Sequence, residues 1–106
     1  MIVRTWRGST RLEDGDEYLT YLRKTGLKEY RQTEGNMGVL ALRRRVDNRC
    51  EFLLITFWKS ADDVRRFSGP DMSRAVFYPD DERYLTDYDD FTNHYDVVEL
   101  DLPVEK

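Results

Sequence analysis

One histidine and one cysteine are the side chains of this sequence best suited to react near neutral pH. His94 has an ordinary pKa of about 6.5, which suits proton transfer. Alternation along an extended strand puts His94 on the opposite face from Asn93 and Tyr95, so these three side chains cannot line one pocket. Cys50 lacks a second cysteine for an internal disulfide and is expected to be a half-buried strand residue. His94 is therefore the candidate acid–base group, with an ordinary strand-surface or interface histidine as the alternative.

The acidic residues of the carboxyl-terminal third do not have the spacing of a metal site. Their pattern matches no Ca²⁺-binding loop, which favours a solvated segment. The sequence also lacks a glycine-rich phosphate loop and a paired-histidine motif. We therefore expect no metal and no cofactor, and a solvated segment that contains Asp80, Asp81, Glu82, Asp87, Asp89 and Asp90.

Length and composition indicate one globular domain over residues 1–106. The chain is 40% hydrophobic and 36% charged, which is too apolar for a disordered chain. Its 17 basic and 21 acidic residues give a net charge of -4, which disfavours nucleic acid as a partner. The sequence has no apolar run of the roughly 20 residues that a membrane-spanning helix needs, and no recognisable signal peptide. We expect a cytoplasmic protein with no membrane partner.

The order of the predicted elements is typical of a ferredoxin-like α+β fold. Asp47-Asn48 marks a hairpin turn, Ser60 is a good helix N-cap, and Gly26 is placed to end the first helix before a connection over 27–36. The order β-α-β-β-α-(α)-β predicts a four-stranded antiparallel sheet with its helices on one face. The predicted strands are about 2–9, 37–46, 50–58 and 91–100, and the predicted helices are about 13–25, 61–67 and 70–77.

The third predicted strand is apolar on both of its faces. An antiparallel strand with one solvated face should alternate apolar and polar residues, so this strand should be covered on both sides. Helices can cover one side only, and the simplest cover for the other is a second copy of the sheet, which predicts a homodimer that closes a β-barrel. A long loop or the carboxyl-terminal tail is the alternative cover. One face would present Phe52, Leu54, Thr56 and Trp58, and the other Leu53, Ile55 and Phe57.

Two segments resemble the antibiotic biosynthesis monooxygenase family of dimeric α+β barrels. The first is Glu51–Ser60, an apolar strand that ends in Trp-x-Ser before a helix, and the second is Asn93–Val98. The resemblance extends from Ile2 to about Leu100. It implies the dimeric α+β barrel fold more directly than an activity, because that superfamily also contains haem-degrading enzymes, decarboxylating enzymes, small isomerases and stress-response proteins.

The residues that the haem-degrading branch of this family uses are absent. That branch uses an Asn on the first strand, and a Trp and a His ten residues apart on the helical segment after the Trp-x-Ser turn. At these positions this chain has Trp6 and Arg7, and then Phe67 and Phe77. The resemblance therefore gives no support to haem degradation.

The resemblance also implies a reaction that needs neither flavin nor metal. Family members that oxidise aromatic polyketides use the deprotonated substrate as the source of electrons, in an apolar, ring-lined pocket with donors aimed at the developing negative charge. Arg4 and Arg7 are candidate cations on the first strand, and Tyr84 is a further hydroxyl donor. The candidate catalytic residues are Trp58, His94 and Tyr78, and the candidate substrate-binding residues are Trp6, Arg7, Phe67, Phe77 and Asn93.

The two-faced sheet predicts a homodimer, and the resemblance implies a cofactor-independent, monooxygenase-like protein that acts on a small or polycyclic aromatic substrate. The alternatives are a non-catalytic dimeric module that binds a small ligand or serves a stress response, and a haem-binding protein with changed ligands. For Trp58 the alternative is a core or dimer-interface position, and for Tyr78 a plain surface position. Because the partner-facing side of the sheet would form the dimer, we expect any pocket on the helix-facing side.

Overall fold

The chain forms an antiparallel sheet of five strands with its helices on one face, and the computed structural model describes residues 1–103. None of the helices in this described part is long and apolar enough to cross a membrane. A single 3₁₀ turn, Leu12–Asp14, follows the first strand. The elements in chain order are β1 (Ile2–Arg11), α1 (Gly15–Lys24), α2 (Gly26–Gln32), β2 (Asn36–Val46), β3 (Arg49–Trp58), α3 (Ala61–Ser68), α4 (Asp81–Tyr84), β4 (Leu85–Tyr88) and β5 (Asn93–Asp96).

β1 lies in the middle of the sheet and pairs with β3 along its whole length. β2 pairs with the other side of β3 through the predicted hairpin. On its free edge β1 pairs with two short strands, β4 around Gly8 and β5 around Arg4. The prediction of one last strand over 91–100 is therefore wrong in extent, because β4 and β5 share that edge.

The segment over 70–77 is irregular, so the helix predicted there is wrong. Apart from one turn, in which the Arg74 amide donates to the Asp71 carbonyl at 3.2 Å, its backbone groups pair with a distant segment. The Ala75 amide donates to the Asp90 carbonyl at 2.9 Å, and the Thr92 amide donates to the Ser73 carbonyl at 2.7 Å. The same bonds draw Asp90 and Thr92 away from β1, which explains why the last strand is split in two.

A second helix, α2, replaces most of the connection predicted over 27–36. Gly26 begins this helix and does not end α1, which stops at Lys24. Leu27 and Tyr30 are buried against the sheet and lie three residues apart, the spacing that places two side chains on one helix face. That pair was the helical signal in the sequence.

The alternation predicted for β3 is confirmed. Phe52, Leu54, Thr56 and Trp58 are buried beneath the helices, and the side chains between them are half-exposed on the opposite, outer face. Strand register continues the outer face onto the neighbouring strands, where Leu40 pairs with Ile55 and Leu42 pairs with Leu53. The sheet therefore has one face covered by helices and one open apolar face.

The described part of the carboxyl-terminal tail, which ends at residue 103, covers one end of the outer face. Leu100 and Leu102 lie with Leu40 and Phe57 around a groove of about 320 Å³. Both tail leucines remain more than half exposed, as do Met37 and the tyrosine of β5. Up to residue 103 the tail therefore leaves most of this apolar surface open.

Candidate functional site

The helix-facing side of the sheet contains a small cavity beneath α1, α2 and the irregular segment before α4. Its walls are mostly aromatic, and its volume of about 20 Å³ is enough for about one water molecule. Two charged side chains reach it, one from β1 and one from α4. The wall residues used below are Arg4, Trp6, Tyr18, Tyr30, Tyr78 and Asp81.

Arg4 is the central charged group of this cavity and is only 3% exposed. One terminal nitrogen, Nη2, donates to the Arg74 carbonyl at 2.7 Å, and the guanidinium carbon lies 5.4 Å from the centre of the Phe67 ring. Its Nε is buried without a hydrogen-bond partner. Burial lowers the pKa of Arg4, although a guanidinium stays charged at neutral pH.

No described side chain neutralises the charge of Arg4. Within residues 1–103 the guanidinium forms no ion pair with an aspartate or a glutamate. Burial raises the pKa of Tyr30 to about 12 and raises that of Tyr78 as well, so both phenols are neutral at pH 7. An isolated buried cation costs several kcal/mol of desolvation, which makes this arrangement unusual for a purely structural residue.

His94 is the immediate neighbour of Arg4 on the sheet. The two residues are directly paired between β5 and β1, so their side chains share the helix-facing side. The Nε2 atom of His94 is buried without a partner. Burial first, and then the positive charge of Arg4, lower the pKa of His94, which is therefore neutral at pH 7.

Trp58 is fully buried, and its hydrogen-bonding capacity is already used. The indole Nε1 donates to Oγ1 of Thr56 at 2.8 Å, and that hydroxyl donates to the Arg4 carbonyl at 3.3 Å. The ring lies 6.0 Å from Phe67, the ring that faces the guanidinium of Arg4. Trp58 thus lies behind the cavity wall and supports Arg4 through Thr56 and Phe67.

Trp6 forms one wall of the cavity, and a glycine makes room for it. Its indole Nε1 donates to the Asp89 carbonyl at 2.8 Å. The ring lies over Gly8, where an added Cβ would be 2.5 Å from the Cη2 atom of Trp6. No side chain larger than hydrogen fits at Gly8 unless the indole moves.

Tyr78 and Asp81 separate the cavity from a larger cleft that opens to the surface. The Tyr78 hydroxyl donates to Glu29 of α2, and its amide donates to Oδ2 of Asp81 at 2.6 Å. Asp81 is only 6% exposed, so the solvated position predicted for it is wrong, and burial raises the pKa of its carboxyl group. The outer cleft has a volume of about 420 Å³, and Phe77 and Tyr88 line it with ring centres 5.1 Å apart.

Two of the predicted substrate-binding residues lie on the outer face, away from the cavity. Arg7 points there and pairs with Asp87 at 3.1 Å and Glu51 at 3.3 Å, and the Asp87 hydrogen bond is the main reason that its pKa is raised. Asn93 is exposed on the same face, opposite Thr5 of β1. The predicted separation of His94 from Asn93 is confirmed.

Arg4 was a candidate cation in the sequence, but it was not among the predicted catalytic or substrate-binding residues, although strand alternation gave a signal for it. Arg4 and Trp6 have the same parity on β1, so alternation places them on one face and Arg7 on the other. The contributions of Tyr18, Tyr30 and Asp81 were missed, because they come from three helices whose docking on the sheet is not encoded in a local pattern. Residues 1–103 contain no group of three His, Cys, Asp or Glu side chains that could hold a metal ion.

Comparison with known proteins gives structural relatives only. No protein-family model matches the chain. No curated protein matches it either. Among solved structures it is similar to a putative antibiotic biosynthesis monooxygenase from Bacillus cereus, with a TM-score of 0.63, 17% identity, and coverage of 96% of this chain and 97% of that one.

Two further structures have the same fold. A mutant of MhuD with two manganese protoporphyrin IX molecules bound per active site has a TM-score of 0.59 and 17% identity, with 98% of this chain and 100% of that chain covered. An uncharacterised NIPSNAP domain protein from Burkholderia xenovorans has a TM-score of 0.61 and 15% identity, with 97% and 100% covered. At these identities the similarity establishes the fold.

A porphyrin of the kind bound to MhuD does not fit this cavity. The ring of Phe67 packs 4.6 Å from that of Tyr30 and fills the space above Arg4. Phe77, ten residues further on, lies outside in the outer cleft. His94 is the single histidine of the chain, and it lies on β5 beside a cation. The residues present therefore do not provide a haem site.

Proposed function

Because the chain has the fold of antibiotic biosynthesis monooxygenases, we propose that it oxygenates a small aromatic substrate without a metal or an organic cofactor. The reaction takes place in the helix-facing cavity. The observation that carries this proposal is Arg4, a lone buried cation among aromatic rings. A donor of this kind stabilises negative charge far better in a water-excluded site than it would in water.

The proposed reaction draws all of its electrons from the substrate. A phenol or enol loses its hydroxyl proton, and the negative charge is shared between its oxygen and an activated ring carbon that carries hydrogen. Dioxygen adds to that carbon, and the resulting hydroperoxide loses water and leaves a carbonyl. One oxygen atom stays in the product and the other leaves as water, so no external reductant is needed. Arg4 holds the substrate oxygen and stabilises its negative charge.

The other predicted site residues have supporting roles in this proposal. Trp6 provides a ring wall of the cavity, and Phe67 packs over the guanidinium of Arg4. Trp58 positions Arg4 through the Thr56 hydroxyl. Tyr78 closes the passage to the outer cleft in the unliganded chain by its hydrogen bond to α2, so entry of a ring substrate depends on movement of Tyr78.

The rival function is a non-catalytic module that binds a small ligand, and the size of the cavity constrains it as much as it constrains the oxygenase. A space of about 20 Å³ is far below the roughly 300 Å³ of a typical pocket for a drug-sized ligand. A ring substrate therefore requires Tyr78 to move outward, which would join the cavity to the outer cleft. Oxygen consumption distinguishes the two functions, because the module would bind aromatic compounds and consume none.

We also propose that two chains pair through the outer face to form a homodimer. The leucines of β2 on this face, Leu40 and Leu42, are 47% and 43% exposed, and Tyr95 of β5 is 57% exposed. Apolar side chains gathered on one face of a sheet are typical of a surface that packs against a partner. A two-fold axis through this face would leave both helix-facing cavities accessible.

The test of the proposed activity is oxygen uptake by the recombinant protein. Hydroxylated anthrones and naphthols serve as substrates, with the buffer rate as the background. We expect uptake that persists in the presence of a metal chelator and falls about 100-fold in Arg4→Met, because removal of one donor to an oxyanion has an effect of that order. Arg31→Met, the same change at an exposed position of α2, is the matched control. Uptake equal to the buffer rate with every substrate rules out the oxygenase.

A further inference from the structure

The charge of Arg4 is already present before any reaction begins, and within residues 1–103 no carboxylate lies within ion-pair distance of it. Its Nε is buried without a partner, and Nη2 has only the Arg74 carbonyl. The two nearest phenols, Tyr30 and Tyr78, are neutral. A site of this kind binds a ligand that is already negatively charged, and it does not act only on negative charge that forms on the ligand during a reaction.

We infer that the cavity binds its ligand as a preformed aromatic anion, whose phenolate or enolate oxygen accepts a hydrogen bond from Nε of Arg4. That this ligand is also the substrate rests on the proposed function. The aromatic part of the ligand then lies against Trp6 and Tyr30, two rings that line the cavity together with Arg4. Neutral aromatic molecules of the same shape leave Arg4 unsatisfied and bind more weakly.

The neighbouring histidine favours ionisation in solution over proton transfer inside the cavity. If His94 took the proton, an imidazolium would form next to the guanidinium of Arg4, in a buried position. Two adjacent buried cations repel each other, so the proton is released to solvent before the ligand enters. Binding of a ligand that is neutral in solution therefore releases one proton to the buffer.

Asp81, the other charged residue of the cavity wall, limits the affinity of this site for an anion. Asp81 also lines the cavity, and as a carboxylate it would repel an anion. Its burial raises the pKa of the carboxyl group, and its Oδ2 accepts from the Tyr78 amide. Asp81 lies where the cavity meets the outer cleft, so outward movement of Tyr78 also exposes Asp81 to water and weakens the repulsion.

The probe for this site is 4-nitrophenol, because its phenolate is yellow and its neutral form is not. At a pH just below the ordinary pKa of the probe, addition of the wild-type protein should increase the yellow absorbance to saturation. A site that stabilises the phenolate tenfold shifts the pKa of the bound probe downward by about one unit. Arg31→Met should give the same titration, and Arg4→Met should give no increase.

Displacement of the bound probe from the wild-type protein by other compounds gives a test that does not depend on how well the variants fold. Benzoate should displace the yellow phenolate at least tenfold better than benzamide, which has the same shape and no charge. Arg4→Lys, which keeps the charge and loses the planar donor edge, should retain part of the absorbance increase. Thermal unfolding of Arg4→Met should occur at the wild-type temperature or above it, because a lone buried cation has been removed.

Three results would each overturn the inference. The first is binding of the probe with no increase in yellow absorbance. The second is competition by benzamide that is as strong as competition by benzoate. The third is a signal that does not saturate up to about 10 mM total probe, a concentration well above a millimolar Kd. None of these measurements involves oxygen. A protein that binds the phenolate but consumes no oxygen would therefore retain the anion site and lose the proposed activity.

Discussion

Arg4 and His94 face each other across β1 and β5, and each has a buried nitrogen without a hydrogen-bond partner. The charge of Arg4 is one of the two causes that lower the pKa of His94, after burial. The two side chains are therefore coupled electrically, and a change at one should be measurable at the other.

Replacement of Arg4 by Met should raise the pKa of His94. Burial, the larger cause, remains in the variant, so the pKa should rise and still stay below the ordinary value of about 6.5. An NMR titration of the imidazole ring protons measures this directly, since the chain has one histidine. Arg31→Met should leave the titration unchanged. A pKa that is the same in Arg4→Met and wild type would show that the two groups are not coupled.

His94 should also make the folded state less stable in mild acid. Because folding lowers its pKa, the unfolded chain takes up the proton more readily than the folded chain. Its contribution to stability is present above about pH 6.5 and is lost as the pH falls through the lower pKa of the folded state. Urea unfolding of wild type and His94→Gln at several pH values between 5 and 7.5 tests this. The stability of the variant should decline less over that window, and parallel declines would contradict the prediction.

The sequence was most informative where a local pattern decides the structure. The alternation of β3 follows from a period of two, so the burial of Phe52 and Trp58 could be predicted. The irregular segment before α4 could not, because its hydrogen-bond partners, Asp90 and Thr92, are about 15 to 20 residues away. Alternation also gives the face of Arg4. The sequence could not show that the charge of Arg4 has no acidic partner, because this depends on how side chains from other elements pack around it.

Gly8→Ala should disturb the cavity through Trp6. The new methyl carbon would lie 2.5 Å from Cη2 of the indole, so the ring must move. Overpacking of this kind typically costs about 1–3 kcal/mol of the free energy of unfolding. A double-mutant cycle with Trp6→Phe is the control, because phenylalanine lacks the ring that carries Cη2. Urea unfolding should show Gly8→Ala to be much less destabilising in the Trp6→Phe background, and additive losses would contradict the proposed clash.

Thr56→Val should show how much the hydrogen bond from the Trp58 indole to the Thr56 hydroxyl contributes to the free energy of unfolding. Valine has nearly the shape of threonine but cannot accept the indole N–H, which is fully buried. An unsatisfied buried donor costs about 1–3 kcal/mol, so the free energy of unfolding should fall by that order. In the Trp58→Phe background no donor remains, and the same substitution should then cost clearly less. Equal losses in both backgrounds would mean that the hydrogen bond contributes nothing.

The outer face should determine the oligomeric state. Ile55 lies in the middle of this face, on β3 between Thr5 and Leu40, and is half-exposed in the single chain. A glutamate there places a charge where a second sheet would pack. Burial of that unpaired carboxylate is unfavourable by more free energy than the apolar contact of Ile55 contributes to the dimer. Light scattering at micromolar concentration should give about twice the chain mass of 12.7 kDa for wild type and about one chain mass for Ile55→Glu.

Two further variants separate loss of the interface from loss of the fold. Leu40→Glu changes the edge strand β2 at a position that is already 47% exposed, so it should break the dimer with little effect on the thermal unfolding of the chain itself. Gln32→Glu adds the same charge at the exposed end of α2 and should remain dimeric. If wild type has the mass of one chain, or if both outer-face variants keep the dimer mass, the outer face does not pair two copies and its apolar side chains need another explanation.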